Sequence, residues 1–188
     1  MSFVSWIWLV PRSLVSPADY QQGDAVRIMY VHVPSAWLAL SSYLLLGICS
    51  FFFLIWRHPL AEIAARSIAP IGTGFAALTL ITGSFWGKPI WGVWWVWDGR
   101  LTSMLVLFFS LLVIFHFQMH STGQREARPA AILALVGCIN LPIVKFSVDW
   151  WHTLHQPASI MRSGGISIDR DALAIINLIF SFQIFLLL

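Results

Sequence analysis

Trp86-Gly-Lys-Pro-Ile-Trp-Gly-Val-Trp-Trp-Val-Trp-Asp-Gly-Arg100 is the stretch on which the reading of this chain turns. It gathers Trp86, Trp91, Trp94, Trp95 and Trp97 out of 11 tryptophans in the protein, a density that asks for a reason. If its second half is helical, Trp91, Trp94, Trp95 and Asp98 fall at i, i+3, i+4 and i+7 and share one face. Such a face is a broad aromatic shelf with a carboxylate at its edge, suited to a flat, apolar, conjugated ligand that carries some polar groups. The competing reading is an interfacial belt, because Trp gathers where a membrane meets water. The crowding exceeds what anchoring requires, and Gly87, Pro89, Gly92 and Asp98 give the segment a shape of its own. A ligand platform is the preferred reading.

Outward from this stretch the chain is apolar in long runs. It is 59% hydrophobic and 10% charged, where a soluble domain is about one quarter charged. The runs lack the alternation of a membrane barrel, so the expected fold is an all-α integral membrane protein. Residues 1–188 read as a single domain. The formal charge of +3 is scattered and forms no basic run, which excludes a nucleic-acid footprint. Cys49 and Cys138 lie far apart inside apolar runs; no CxxC, CxxCH or zinc spacing occurs, so no disulfide framework or covalent haem is encoded. The N-terminus lacks a basic n-region and a small-residue cleavage site, and does not read as a removable signal peptide.

A crossing needs about 20 residues. Ser2 to Val10 is apolar but shorter, a short or truncated first helix, and Ser16 to Asp24 is a polar loop. Tyr30 to Trp56, Ile63 to Phe85, Leu101 to Met119, Pro129 to Val148 and Ala172 to Leu188 follow as spans, which makes about six helices in all. The fourth of these five is interrupted by Asn140 and Pro142. His32 is expected just before the helix proper, with Pro34 in the first turn, where its missing N–H costs nothing. Gly72, Gly74, Thr79, Thr82, Gly83 and Ser84 offer small surfaces for helix packing.

Counting crossings brings His32, the Trp-rich segment and the Trp150–His155 loop to one side of the membrane. Arg57, Arg66, Arg125 and Arg128 lie in the short loops of the other side, which favours calling that side cytoplasmic. One face then holds a Trp shelf and two His-bearing loops. Two neutral imidazoles reaching a flat ligand from opposite sides is the arrangement of bis-His haem iron, and His32 and His155 are the chosen pair. His152, three residues earlier, is the rival of His155. Arg27, Lys88, Arg100, Lys145 and Arg162 are candidate partners for propionates. Asp98 either caps the following helix, pairs with Arg100, or holds the platform. His116 and His120 resemble a helical metal pair, yet lie at the opposite surface without carboxylate or Cys companions, and snorkelling is the better reading. No Ser/His/Asp set, paired carboxylates or phosphate loop appears, so hydrolysis and ATP use are not expected.

The Trp86–Asp98 run looks like the tryptophan-rich signature of haem-handling proteins. Pro17-Ala-Asp-Tyr-Gln-Gln-Gly23, Tyr30-Val-His-Val-Pro34, Asn140-Leu-Pro142 and Trp150-Trp-His-Thr-Leu-His-Gln156 narrow the resemblance to the cytochrome c maturation protein C family, over essentially the whole chain. The resemblance implies six membrane helices and a non-enzymatic role. It implies haem b held non-covalently on the outer face by His32 and His155 beside Trp86, Trp91, Trp94, Trp95, Trp97, Asp98 and Arg100. It further implies delivery to a membrane-anchored haem chaperone, with ABC-transporter subunits and a small membrane subunit as companions. The membrane would be a bacterial inner membrane with the site on the periplasmic side, or a mitochondrial inner membrane. It also implies a first helix longer than Met1 to Val15 allows and a basic tail after Leu188. Two other classes compete. An electron-transfer cytochrome b subunit would place its His pair deep within facing helices. A permease for haem or another solute would need an ionic or polar path, and the spans hold almost no charged residues.

Overall fold

The computed structural model describes residues 23–120, 124–151, 153–155 and 170–185, all helix or helix connection apart from a bridge residue at Gly23. In chain order these are α1 (Val26–Trp56), α2 (Pro59–Trp91), α3 (Gly99–His120), α4 (Gln124–Gly137), α5 (Asn140–Trp150) and α6 (Arg170–Phe185). Four segments are long and apolar enough to cross a membrane: Val26–Trp56, Pro59–Trp91, Gly99–His120 and Ala127–Trp150, the last joining α4 to α5. The chain is thus a multi-pass helical bundle. α6 spans 16 residues, short of the ~20 of a full crossing. The expected first segment, Ser2 to Val10, lies outside the described residues, as does the tail of the last expected span.

Local chemistry sets the ends. Pro59 occupies the first turn of α2, where no N–H is needed, with Glu62 beside it. Arg57, at φ 51°, closes α1 in the left-handed region and returns its N–H to the Phe53 carbonyl at 2.9 Å. The break between α4 and α5 follows from Pro142. It has no N–H for the Cys138 carbonyl, which instead accepts from Leu141 at 3.1 Å, and Asn140 Nδ2 is freed to donate to the Ser103 carbonyl at 2.8 Å. The interruption expected at Asn140 and Pro142 is therefore present.

Packing rests on small residues. Ala65, Ala69, Gly72, Ala76 and Thr79 are the buried face of α2, repeating every three or four positions so that backbones approach closely. A Cβ on Gly72 would stand 3.0 Å from Ser42 Cβ and 3.2 Å from Leu111 Cδ2. Gly74, expected among the packing surfaces, is exposed and has open space around it; it falls off that repeat. Large apolar side chains such as Leu44, Phe52, Ile55 and Phe109 point outward, as lipid contact demands.

Cross-helix contacts give directions. Arg66 Nη1 donates to the Gln118 carbonyl at 2.6 Å, and its guanidinium also pairs with Glu62 at 2.9 Å, joining the start of α2 to the end of α3. At the other end Arg100 Nη2 donates to the Lys145 carbonyl at 3.2 Å. α6 packs along α1 through Tyr30, Ile176 and Ile179, and Gln183 Nε2 donates to the buried Ser35 hydroxyl at 2.9 Å. α1, α3 and α6 therefore run one way, α2 and α4–α5 the other. The start of α1, the end of α2, the start of α3 and the end of α5 meet at one end of the bundle.

Candidate functional site

That end of the bundle carries the residues singled out in the sequence, in a different arrangement from a helical shelf. α2 stops at Trp91, because Gly92 turns left-handed at φ 77° and gives its N–H to the Lys88 carbonyl at 3.1 Å. The Lys88 ammonium donates to the Gly92 carbonyl at 2.9 Å and fastens the same turn. Residues 92–98 are non-helical, so the expected common face of Trp91, Trp94, Trp95 and Asp98 does not form. The tryptophans instead divide into an inner and an outer group.

The inner group is built around Trp86, which is 6% exposed. His32 stacks on it with ring centroids 6.4 Å apart and planes at 27°. His155 approaches the same indole at 6.3 Å and the Trp91 indole at 4.8 Å. Trp86 and Trp91 meet edge to face at 5.6 Å. Gly87 permits this, since a Cβ there would stand 2.9 Å from Trp91 Cε3. Trp86 is thus flanked by both imidazoles.

Each imidazole is held by its Nδ1. His155 Nδ1 lies 3.2 Å from Asp98 Oδ2, with side chains 10% and 5% exposed. Asp98 Oδ1 accepts the Leu101 N–H at 2.7 Å, the cap of α3. Burial alone would raise the Asp98 carboxyl, but the His155 hydrogen bond and the Leu101 and Arg100 N–H groups outweigh it and hold it below its ordinary value. An ionised Asp98 only accepts, so His155 Nδ1 donates. His32 Nδ1 lies 3.0 Å from Thr82 Oγ1. His32 is not ahead of the helix, as expected, but in the second turn of α1, which begins at Val26; Pro34 is inside the helix rather than in its first turn. The polar Gly23–Ala25 turn starts the helix earlier than the apolar run suggests.

The outer group is exposed. Trp94 is 53% and Trp97 75% exposed. Trp94 meets Phe85 edge to face at 5.6 Å, under the Lys88 ammonium at 5.8 Å from its centroid. Trp95 and Trp97 pack edge to face at 5.5 Å, and the buried Trp95 indole N–H has no hydrogen-bond partner among the described residues. Arg100 is committed to the Lys145 carbonyl, and Lys145 lies over Trp37 at 5.2 Å. Arg27 pairs with Asp24 at 3.1 Å. His152 and Arg162 lie outside the described residues. His116 and His120 sit together at the far end of α3, centroids 4.4 Å apart, with His120 Nδ1 on the His116 carbonyl at 2.9 Å. They take no part in the site.

The whole sequence from residue 2 to 188 matches the model of a known family, heme exporter protein C. The chain belongs to the heme exporter protein C family. It is 54% identical over 163 residues to heme exporter protein C of Bradyrhizobium diazoefficiens, which covers 86% of this chain and 62% of that protein. It is 46% identical over 160 residues to the Escherichia coli K12 protein of that name, covering 85% and 64%. A ccmC-like mitochondrial protein of cytochrome c biosynthesis from Marchantia polymorpha is 50% identical over 172 residues, covering 92% and 73%. The chain thus spans less than two thirds of the length of the two bacterial relatives.

Thr82 and Gly83 are the site residues that sequence reasoning took only for packing surface. The available signal was spacing: Thr82 lies four residues before Trp86, on the same face of α2.

Proposed function

We propose that this protein is a membrane haem carrier, binding haem b non-covalently through His32 and His155 and passing it to another protein during cytochrome c maturation. The observation that carries this reading is the pair of imidazoles flanking Trp86, each with Nδ1 hydrogen-bonded, so that Nε2 is the nitrogen left for a metal. Metal-ligating histidines characteristically donate their other N–H to a carboxylate or oxygen acceptor. The donor set also suits the rest of the group. Trp86, Trp91, Trp94 and Trp95 would supply apolar ring surface, the Trp95 indole N–H has no partner among the described residues, and Arg100 keeps N–H groups beyond the one it gives to the Lys145 carbonyl, so both would offer donors to polar substituents. Haem is the cargo; its iron chemistry belongs to the proteins that receive it.

This chain's own residues bind, orient and expose. His32 and His155 would ligate, Asp98 orients His155, and Trp94 and Trp97 leave an aromatic surface open at the bundle end for an acceptor. That acceptor is a membrane-anchored haem chaperone, and the ABC-transporter subunits and small membrane subunit of the same system are its companions. Bacterial and mitochondrial relatives both match, which supports an inner membrane of either kind, and on this reading the site faces the periplasm or its mitochondrial equivalent, opposite the short Arg-bearing loops. Both imidazoles lie near helix ends rather than at mid-bundle, which favours a ligand that leaves over the fixed haem of an electron-transfer cytochrome.

Absorption spectra of the purified protein, alone and after addition of a haem-free acceptor, test the reading. A low-spin haem spectrum that moves to the acceptor is expected. A spectrum that stays put and merely cycles on reduction and reoxidation would favour the electron-transfer class.

A further inference from the structure

The Thr82 hydroxyl carries one proton, and its geometry says where that proton goes. Its oxygen lies 2.7 Å from the Leu78 carbonyl and 3.2 Å from the Thr79 carbonyl, both acceptors on its own helix. A helical Thr commonly donates back to such a carbonyl. With its proton spent there, Thr82 can only accept from His32, so the hydrogen on the 3.0 Å contact belongs to His32 Nδ1. The ring is also confined. A Cβ on Gly83 would stand 3.0 Å from His32 Cε1, and the ring stacks on Trp86.

We infer that Thr82 is a positioning residue that fixes His32 in its Nδ1–H tautomer, leaving the Nε2 lone pair free for haem iron. The inference rests on the ligand reading above and deepens it. It also makes the two imidazoles unequal: His155 donates to a carboxylate and His32 to a neutral hydroxyl, two hydrogen-bond partners of different strength.

The ligand-free protein gives the direct test. Long-range proton–nitrogen correlation on protein labelled with 15N-histidine reads the tautomer. His32 is expected as Nδ1–H, moving toward Nε2–H in Thr82→Val and returning in Thr82→Ser. An Nε2–H His32 in the unaltered protein would overturn the inference. The second readout is the haem spectrum at matched membrane abundance. Thr82→Val is expected to weaken haem retention about tenfold, the low end of what losing a ligating histidine's hydrogen-bond partner costs, with part of the haem turning high-spin, and Thr82→Ser to restore it. If His32→Ala loses the low-spin spectrum while Thr82→Val keeps it at full strength, the tautomer inference fails and the ligand reading stands. If His32→Ala itself keeps that spectrum, the ligand reading fails, and this inference with it. Should Thr82→Val not accumulate, the unaltered tautomer and the Ser variant still decide.

Discussion

Asp98 and His155, 57 positions apart in sequence, meet at 3.2 Å with 5% and 10% of their side chains exposed. One carboxylate performs two tasks, since Oδ2 faces the imidazole and Oδ1 caps α3 through the Leu101 N–H. Substitutions separate the tasks. Asn is as good a cap as Asp, but it is a neutral acceptor toward the imidazole. Asp98→Asn should leave thermal stability near normal and weaken haem retention by about 10- to 100-fold. Asp98→Ala should add a loss of about 1 kcal/mol in stability from the missing cap. Melting in detergent beside haem content per protein reads both, and equal haem retention in all three proteins would remove Asp98 from the site.

The two histidine pairs at opposite ends of the bundle make an internal control. His32→Ala and His155→Ala should each abolish the low-spin spectrum. His116→Ala and His120→Ala should leave it intact, because among the described residues those rings meet each other, Phe117 and helix backbone at the opposite end of α3. The reverse pattern in purified protein would move the site to the far end of α3.

Gly87 is predicted to matter through a contact that no side chain of its own makes. Ala at this position would press its Cβ to within about 3 Å of the Trp91 ring, so Trp91 must leave its place against His155. Gly87→Ala should therefore alter tryptophan fluorescence and lower haem retention with little change in membrane abundance. Gly74→Ala is the matched control, with nothing within 4 Å of its Cβ and a modest helix benefit of ~0.5–1 kcal/mol. Identical behaviour of the two variants would refute the steric account.

Much of this end of the molecule is legible in the sequence, for a physical reason. Span length and the absence of charge fix the number of passes between Val26 and Trp150, and passes alone bring His32, the Trp run and His155 to one end. Helix limits are less legible. The sequence reading starts α1 at Tyr30, but backbone hydrogen bonds from Arg27 and Ile28 to the Asp24 and Ala25 carbonyls open it at Val26, with the Arg27 charge paired to Asp24. The shelf fails for a similar reason: spacing placed Trp91 and Trp95 on one face, while a single left-handed glycine at position 92 ends the helix between them. The His155–Asp98 and His32–Thr82 pairs are tertiary contacts across 57 and 50 positions, and no local pattern announces them.

The division between inner and outer tryptophans separates holding haem from giving it away. Trp86 is buried in contact with both imidazoles, so Trp86→Ala opens a cavity beside both ligands and should lower retention itself, at a stability cost of about 3–5 kcal/mol where the site cannot collapse. Trp94 and Trp97 are mostly exposed, and their truncation removes little buried surface and leaves helix packing untouched. A partner that takes haem must dock where the bundle is open, and large exposed aromatic side chains are the surface it would meet. Trp94→Ala combined with Trp97→Ala should therefore leave protein level and the haem spectrum near normal, while delivery to an acceptor falls severalfold. Membrane abundance, bound haem and acceptor haem, measured on one preparation, distinguish the cases. Loss of the protein would mark the outer pair as a membrane anchor, and unchanged delivery would exclude it from the hand-over.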